Sequence, residues 1–169
     1  MSATPGSAFT EEAEQRHKAV RRALELISRR QRTESDLRER LSERFDEPLV
    51  DHAVARLREL AYVDDAAWAA GYVARTRSMQ ASVSLIRREL LRAGVSAELA
   101  DAALEAHDDH AAAQRAAARR MPSLRRLTPE QRNRRLAAHL QRRGFDWGTV
   151  QSVLRSAIES AEAPAAATG

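Results

Sequence analysis

The sequence predicts an all-α protein made of three tandem three-helix repeats that form an elongated body. Glycine and proline are few, six and five of 169 residues, whereas Ala, Arg, Leu and Glu are abundant, which is typical of helical chains. A pattern also recurs every 50 residues: an apolar residue between two helices, then a capping residue, then an apolar residue five positions after the first. These positions are Phe45, Val95 and Phe145, then Asp46, Ser96 and Asp146, then Val50, Ala100 and Val150. Such a period indicates supersecondary units that bury their apolar faces against their neighbours.

Capping residues predict where each helix begins. The first helix is expected over 16–30, because Val20, Leu24 and Ile27 form an apolar stripe. The eight later helices are expected to begin at the capping residues Thr33, Asp46, Asp64, Ser82 or Ser84, Ser96, Asp108, Thr128 and Asp146. Helix ends are indicated by Gly94, Pro122 and Gly144. Helical spacing predicts that Leu60, Ile86, Leu90 and Leu91 are buried, and that Tyr62, Trp68 and Tyr72 form core where the first two repeats join.

The chain is expected to comprise five segments. A disordered lead over 1–15 precedes three repeats over 16–63, 64–107 and 108–160, and a disordered tail occupies 161–169. The chain has no cysteine, which fits a reducing compartment. It also has no apolar run of the roughly 20 residues that a membrane span needs, and its N-terminus does not resemble a signal peptide. We therefore expect a cytoplasmic protein that makes no contact with membranes.

Charge alternates in phase with the repeat. The segment 16–44 has ten basic and five acidic residues, whereas 45–66 has two and six; 75–92 has five and one, whereas 93–113 has none and five. The largest surplus lies in 115–143, where ten arginines face a single acid, Glu130. A solvated helical face with internal ion pairs explains residues 34–44 well and residues 115–143 badly. A surplus of this size indicates an anionic partner, either phosphate backbone or an acidic protein surface.

Two groups of residues could suggest chemistry, but both have a simpler explanation. Asp64 and Asp65 stand where a helix cap and a first-turn carboxylate are expected. His107, Asp108, Asp109 and His110 have the composition of a metal site, but short His/Asp tracts often arise by chance. No nucleophile with a general base and no phosphate-binding loop is visible. We therefore expect no catalytic residue, no metal and no cofactor.

Three ordered segments resemble the RecX family, whose members regulate the bacterial recombinase RecA. They are Ala23–Leu41, then Leu57–Asp65 with Trp68, Ala69, Tyr72 and Val73, then Ile86–Val95; Gly144-Phe145-Asp146 extends the resemblance to about residues 17–160. In this resemblance the motif residues with a structural role are Leu60, Tyr62, Asp64, Asp65, Trp68, Tyr72, Leu90, Gly94 and Phe145. The sequence departs from the family pattern at the first junction, where a glycine before Phe45 is absent, and at Ala61, where a glycine is expected.

The resemblance implies a curved body of three repeats that binds the RecA–DNA filament and inhibits its ATPase, strand-exchange and coprotease activities. We expect a monomer that also binds single- and double-stranded DNA weakly and without sequence preference. The candidate contacts with recombinase or DNA are Arg75, Arg77, Arg87, Arg88, Arg92, Arg119, Arg120, Arg134, Arg135, Arg142 and Arg143. One alternative is a helix-turn-helix transcriptional regulator, and another is a helical scaffold with unrelated partners. Acidic third helices argue against the transcriptional regulator, because a recognition helix must approach phosphates in the major groove.

Overall fold

The computed structural model describes residues 5–75 and 78–162, with side chains over 11–75 and 79–157. This part of the chain contains nine α-helices and no strand. The helices are α1 (Pro5–Arg29), α2 (Glu34–Ser42), α3 (Glu47–Glu59), α4 (Asp65–Ala74), α5 (Val83–Arg92), α6 (Ala97–Leu104), α7 (Asp109–Arg120), α8 (Pro129–Arg142) and α9 (Trp147–Glu162). Short 3₁₀ helices cover Ser78–Gln80 and Met121–Leu124. No helix in the described part combines the length and the apolar character that crossing a membrane requires.

Most predicted caps form the expected hydrogen bonds. The Thr33 hydroxyl accepts from the Asp36 N–H at 3.1 Å, and the Thr128 hydroxyl accepts from the Gln131 N–H at 3.3 Å. Asp64, Ser82, Ser96, Asp108 and Asp146 likewise accept from a backbone N–H two or three residues ahead. Asp46 holds the capping position of α3, but its side chain makes no capping hydrogen bond. The caps explain why the helix starts could be read from sequence within a residue or two.

The contacts divide the chain into two compact units, the first comprising Met1–Ala70 with Leu90–Ala100 and the second Gly71–Glu89 with Asp101–Gly169. In the first unit, Ala19 and Ala23 of α1 are fully buried in a core with Leu37, Leu41, Val54 and Leu57 of α2 and α3. In the second unit, four buried alanines of α7 pack with Leu136 and Leu140 of α8 and with Val150 and Val153 of α9. Neither unit coincides with one repeat, so the repeat boundaries stay a prediction.

The same type of junction, between the start of one helix and the end of another, occurs in both units. In the first unit the Thr33 hydroxyl, at the start of α2, donates to the Ala93 carbonyl just after α5 at 2.6 Å. In the second unit the Ser82 N–H, at the start of α5, donates to the Arg143 carbonyl just after α8 at 3.0 Å. Gly94 and Gly144 have positive φ values of 83° and 85° at these helix ends. Glycine is required because an added Cβ would lie 2.1 Å from the Ser35 Cβ or 2.4 Å from the Ser82 Oγ.

The junctions are completed by the second aspartate of each Asp-Asp pair. Asp65, in the first turn of α4, accepts from the Glu34 N–H at the start of α2 at 2.9 Å. Asp109, in the first turn of α7, accepts from the Val83 N–H at the start of α5 at 2.7 Å. Each carboxylate thereby satisfies a helix N–H that has no partner within its own helix. Burial raises the pKa of Asp65 despite the hydrogen bond from Glu34, and the nearby carboxylates of Glu34 and Asp64 raise it further.

Three sequence expectations are wrong. Residues 5–15 are helical, because α1 begins at Pro5 rather than near Arg16; proline suits a first helical position, since it has no N–H to leave unpaired. Tyr62 is 59% exposed and Leu60 44% exposed. Ala61 between them has a φ of 56°, and this left-handed turn sends Val63, 4% exposed, into the core in place of Tyr62. Leu91 is also exposed, because Ile86 and Leu90 already define the buried face of α5.

The first repeat has a different turn between its second and third helices. At Gly94 and Gly144 the turn closes with hydrogen bonds from Val95 and Phe145 to the carbonyls five residues back. At the first junction the Phe45 N–H instead bonds to the Leu41 carbonyl, four residues back. The missing glycine removes the left-handed residue, so no positive φ occurs there. The shortened junction noticed in the sequence is therefore a shorter helix-ending turn.

Candidate nucleic-acid interface

The second compact unit carries the arginine surplus, which extends over α7, the 3₁₀ helix Met121–Leu124 and α8. Ten arginines lie between residues 115 and 143. The exposed ones are Arg115, Arg119, Arg125, Arg126, Arg134, Arg135 and Arg142, and the partly buried ones are Arg120, Arg132 and Arg143. We call this group the arginine surface.

The arginine surface lacks the carboxylate partners found in the first unit. Arg143 aside, none of its members forms an ion pair with any residue that the structure describes. Among the described residues of the first unit, eight arginines pair with Asp or Glu. They are Arg16, Arg22, Arg30, Arg32, Arg38, Arg40, Arg56 and Arg58. Unpaired surface cations attract polyanions, whereas paired ones are largely neutralised.

Packing of α8 sets the direction of its arginines. Leu136 and Leu140 are fully buried, so the opposite side of the helix, including Arg135 and Arg142, is exposed. Residues seven apart on a helix share nearly the same face and are separated by roughly 10 Å along the axis. Arg135 and Arg142 thus form a short row, while Arg134 lies about 100° around the helix from Arg135.

A histidine lies among these arginines. The Arg143 Nε–H donates to His139 Nε2 at 3.1 Å, and the Arg143 Nη1–H donates to the Gln80 carbonyl at 3.0 Å. Burial lowers the pKa of His139, and the positive charges of Arg143, Arg120 and Arg142 lower it further. The Nε atom of Arg120 is buried and has no hydrogen-bond partner. His139 is the residue of this surface that sequence reasoning missed, because its importance arises from a neighbour on α7.

The candidate arginines of the middle repeat differ in their contacts with neighbouring side chains. Arg87 makes a bidentate ion pair with Asp101, at 2.6 and 3.1 Å. The hydrogen bond between them raises the pKa of Arg87 and lowers that of Asp101. Arg75 lies over the Tyr72 ring, 5.1 Å from its centroid. Arg88 is exposed without an ion pair among the described residues. Arg92 is exposed beside Trp68 in a polar cleft of the first unit, and Arg77 lies outside the described residues.

The ion pair of Arg87 is a repeated feature. In the first repeat, Arg38 of α2 likewise pairs with Asp51 of α3, through one guanidinium nitrogen, and the hydrogen bond that Arg38 donates to Asp51 raises the pKa of Arg38. The equivalent positions of the third repeat hold Ala137 and Gln151. The ion pair that joins the second and third helices of the first two repeats is therefore absent from the third repeat, which carries most of the unpaired arginines.

The two groups considered for chemistry act as helix caps. Asp64 and Asp108 cap their own helices, and Asp65 and Asp109 cap neighbouring ones. His107 is held by a 2.9 Å hydrogen bond between its Nε2 and the Ala81 carbonyl. Within the described residues, no group of three or more His, Cys, Asp or Glu side chains could hold a metal ion. The sequence signal for the neighbouring caps was present in the doubled aspartates at 64–65 and 108–109.

Comparison with known proteins supports one family. Residues 107–154 match the family model described as "RecX, third three-helix domain", and residues 19–57 match "RecX, first three-helix domain". The Regulatory protein RecX of Prosthecochloris aestuarii is 31% identical over 139 residues, covering 81% of this chain and 91% of the relative. That of Streptomyces coelicolor is 31% identical over 141 residues, covering 80% of this chain and 75% of the relative.

Solved structures have the same fold. A crystal structure of regulatory protein RecX matches with a TM-score of 0.73 and 25% identity, over 90% of this chain and 78% of that one. The structure of RecX from Lactobacillus salivarius matches with a TM-score of 0.73 and 18% identity, over 85% and 97% of the two chains. The sequence motifs, the tandem three-helix fold and these similarities agree: the chain belongs to the RecX family of regulatory proteins.

Proposed function

We propose that this protein binds the RecA–DNA filament and inhibits its ATPase, strand-exchange and coprotease activities without any catalysis of its own. Family membership supports a regulatory role. The observation that carries the proposal is the arginine surface, because its members other than Arg143 form no ion pair with any described residue, and such positive charge is suited to phosphate backbone and acidic protein surfaces. The proposal includes a cytoplasmic monomer with repeats over 16–63, 64–107 and 108–160, and no cofactor.

Within this proposal the candidate contacts separate into two groups. The unpaired, exposed residues Arg88, Arg92, Arg119, Arg134, Arg135 and Arg142 are the first choice for contacts with filament or DNA. Arg87 is a weaker choice, because releasing its guanidinium to a partner would leave Asp101 without its ion pair. Arg75 already contacts an aromatic ring and Arg143 a carbonyl, and Arg120 is only partly exposed.

The test is the DNA-dependent ATPase of RecA, measured with increasing amounts of this protein, together with co-sedimentation on filaments. Wild type is expected to lower the rate and to sediment with filaments. Arg135→Glu/Arg142→Glu should weaken both effects. Arg21→Glu/Arg29→Glu is the matched control, because it reverses two exposed α1 arginines that form no ion pair within the described chain. An unchanged ATPase rate at stoichiometric excess, with no co-sedimentation, would contradict the proposal.

A second pair of variants examines the middle repeat. Arg88→Glu should weaken inhibition without loss of helicity, as measured by circular dichroism. Arg87→Glu should weaken the helix brace as well, because it places two carboxylates together at Asp101. If Arg88→Glu inhibits RecA as well as wild type does, the middle repeat does not supply this contact, while the regulator proposal stands.

DNA binding alone distinguishes the alternative function. Contacts to phosphate release counterions, so the affinity for random single- and double-stranded DNA should be weak and should fall steeply as salt rises. A strong preference for one duplex sequence, with little dependence on salt, would favour a transcriptional regulator. The paired acids Asp51 and Asp101 on α3 and α6 argue against that function, because they would face phosphates if these helices entered the major groove.

A further inference from the structure

Tyr62 is an aromatic residue that the fold holds outside the core. It is 59% exposed, and its side chain makes no hydrogen bond or ring contact with any residue that the structure describes. The turn that exposes it contains Ala61 with a φ of 56°, a left-handed conformation that is unfavourable for a residue with a Cβ. Strained backbone of this kind is concentrated at functional sites, so the exposed ring of Tyr62 is a candidate for contact with a partner.

Tyr62 lines a small cleft together with a second aromatic residue. The cleft has a volume of about 160 Å³, and Tyr62, Trp68, Gln31 and Arg32 are among the residues that line it. Two aromatic side chains, an amide and a guanidinium therefore surround one small space. This composition is suited to a planar group with polar edges, such as a nucleobase, because rings offer a stacking surface and the amide offers hydrogen bonds.

A larger cleft adjoins the small one. Its volume is about 260 Å³, and Gln31, Arg32 and Trp68 line both clefts. Arg30 and Arg92 also line the larger cleft. Arg92 is exposed and forms no ion pair with any described residue, so its guanidinium can donate two parallel hydrogen bonds to a phosphate. All of these residues belong to the first compact unit.

The acids that line the two clefts leave part of this positive charge uncompensated. Asp36 and Glu39 line the larger cleft beside three arginines, and Asp64 lines the smaller one. Asp36 is already paired with three arginines, at 2.5, 3.1 and 3.4 Å, and Asp64 is the capping residue of α4. The charge of the larger cleft therefore suits a single phosphate group and not the closely spaced phosphates of a duplex.

We propose that the two clefts together bind one unpaired nucleotide of single-stranded nucleic acid, with its base stacked on Tyr62 beside Trp68 and its phosphate paired with Arg92. A base in a duplex is covered on both faces by its neighbours, so only an unpaired base can stack on a side chain in this way. Stacking is possible for every base, and the Gln31 amide can both donate and accept. The inference rests on the proposed DNA binding and adds a preference for single strands.

The proposal predicts which substitutions weaken binding. Tyr62→Ala should lower the affinity for a short oligothymidylate by roughly 5- to 150-fold, which is the effect of losing one stacked base. The affinity for a duplex of the same length should change by less than about twofold, because a paired base does not reach the ring. Tyr62→Phe keeps the ring and should bind both forms as wild type does. Arg92→Gln should weaken single-strand binding and reduce its salt slope by about 0.7.

The experiment measures the fluorescence anisotropy of a labelled oligothymidylate, single-stranded or annealed to its complement, with the full chain at low salt. Leu60→Ala is the matched control and should bind as wild type does, because Leu60 is 44% exposed two residues before Tyr62 but does not line the small cleft. The place of binding is measured in a Trp147→Phe background, in which Trp68 is the remaining tryptophan. A bound base should quench its fluorescence. Circular dichroism checks that each variant keeps its helicity.

Several results would overturn the proposal. They are equal losses of single-strand and duplex affinity in Tyr62→Ala, no loss in that variant, an equal loss in Leu60→Ala, failure of wild type to bind the single strand, and binding without quenching of Trp68. Equal quenching by polyglutamate would assign the cleft to an acidic protein segment, and equal quenching by thymidine monophosphate would assign it to a free nucleotide; either contradicts the proposal. None of these results decides the regulator proposal, which is tested separately by RecA ATPase inhibition and co-sedimentation.

Discussion

In the first compact unit eight arginines are ion-paired, whereas in the second the arginines of 115–143, Arg143 apart, have no carboxylate partner in the described chain. Asp36 illustrates the first situation: burial raises its pKa, but hydrogen bonds and charges from Arg32 and Arg40 outweigh burial and lower it. His139 illustrates the second, with three arginines and no acid acting on it. The same residue type is therefore paired with acids in one unit and carries unpaired positive charge in the other.

The helix junctions of the two units, in contrast, use the same kinds of residue at corresponding positions. The start of α2 meets the end of α5 through Thr33, Asp65 and Gly94, and the start of α5 meets the end of α8 through Ser82, Asp109 and Gly144. The helix junctions and the surface charge can thus vary independently in a repeat protein. Changes at the junctions should affect both units alike, and changes in charge should separate them.

The largest effect is expected from the core. Leu90 and Leu140 occupy equivalent positions, and both are fully buried. Leu90→Ala and Leu140→Ala should each lower the free energy of unfolding by about 2–5 kcal/mol, because each leaves a cavity. Urea denaturation measures this loss. A large loss at one position and none at the other would show that the two junctions are not energetically equivalent.

The next largest loss of stability is expected from substitutions of the junction glycines. Gly94→Ala and Gly144→Ala should each lower the free energy of unfolding by about 2–4 kcal/mol, through steric overlap and a left-handed alanine. In the first unit the overlap is with the Ser35 Cβ and Oγ, so adding Ser35→Gly should restore stability to within about 1–2 kcal/mol of wild type. Failure of this second substitution to restore any stability, by urea denaturation, would contradict the packing explanation.

The neighbouring caps should have a smaller effect. Asp65→Ala and Asp109→Ala should each cost about 1 kcal/mol, because the N–H of Glu34 or Val83 loses its acceptor. Asp65→Asn keeps an acceptor oxygen and removes a charge whose burial raises the pKa. It should therefore be at least as stable as wild type at neutral pH.

The sign of the pH dependence follows from the raised pKa of Asp65. The folded state binds this proton more readily than the unfolded one, so wild type should gain stability relative to Asp65→Asn as pH falls through the folded pKa towards 3.8, the unperturbed value. Urea midpoints of both proteins across this range measure the difference. A wild type that loses stability relative to Asp65→Asn on acidification would contradict the assignment.

The smallest change in the free energy of unfolding is expected from single arginine substitutions, and it distinguishes the two units most directly. Arg38→Gln removes ion pairs with Glu34 and Asp51 and should cost about 0.2–1 kcal/mol. Arg135→Gln removes no ion pair and relieves repulsion, so stability should stay within about 0.5 kcal/mol of wild type or rise slightly. Added salt should reduce the loss at Arg38, because screening weakens exposed pairs. Equal losses at both positions would contradict the comparison.

The all-α class, the starts of eight helices and most of the core could be predicted because they depend on short-range rules. Thr33, Ser82 and Asp108 bond to N–H groups two or three residues ahead, and Leu37, Ile86 and Leu136 follow the helical period. The exposure of Tyr62 could not be predicted from spacing, because it depends on the left-handed turn at Ala61 that places Val63 inside instead.

The sequence by itself determined the repeat, the caps and the surplus of arginine over acid in 115–143, since each is set by residue type and spacing along the chain. Tertiary structure alone decided which arginines remain unpaired, because an ion pair such as Arg87–Asp101 joins residues on different helices. It also decided that the charge of Arg120 on α7 lowers the pKa of His139 on α8, and that Asp65 and Asp109 cap helices other than their own. Helical periodicity determines the face on which a side chain lies, but only packing between helices determines which side chains meet.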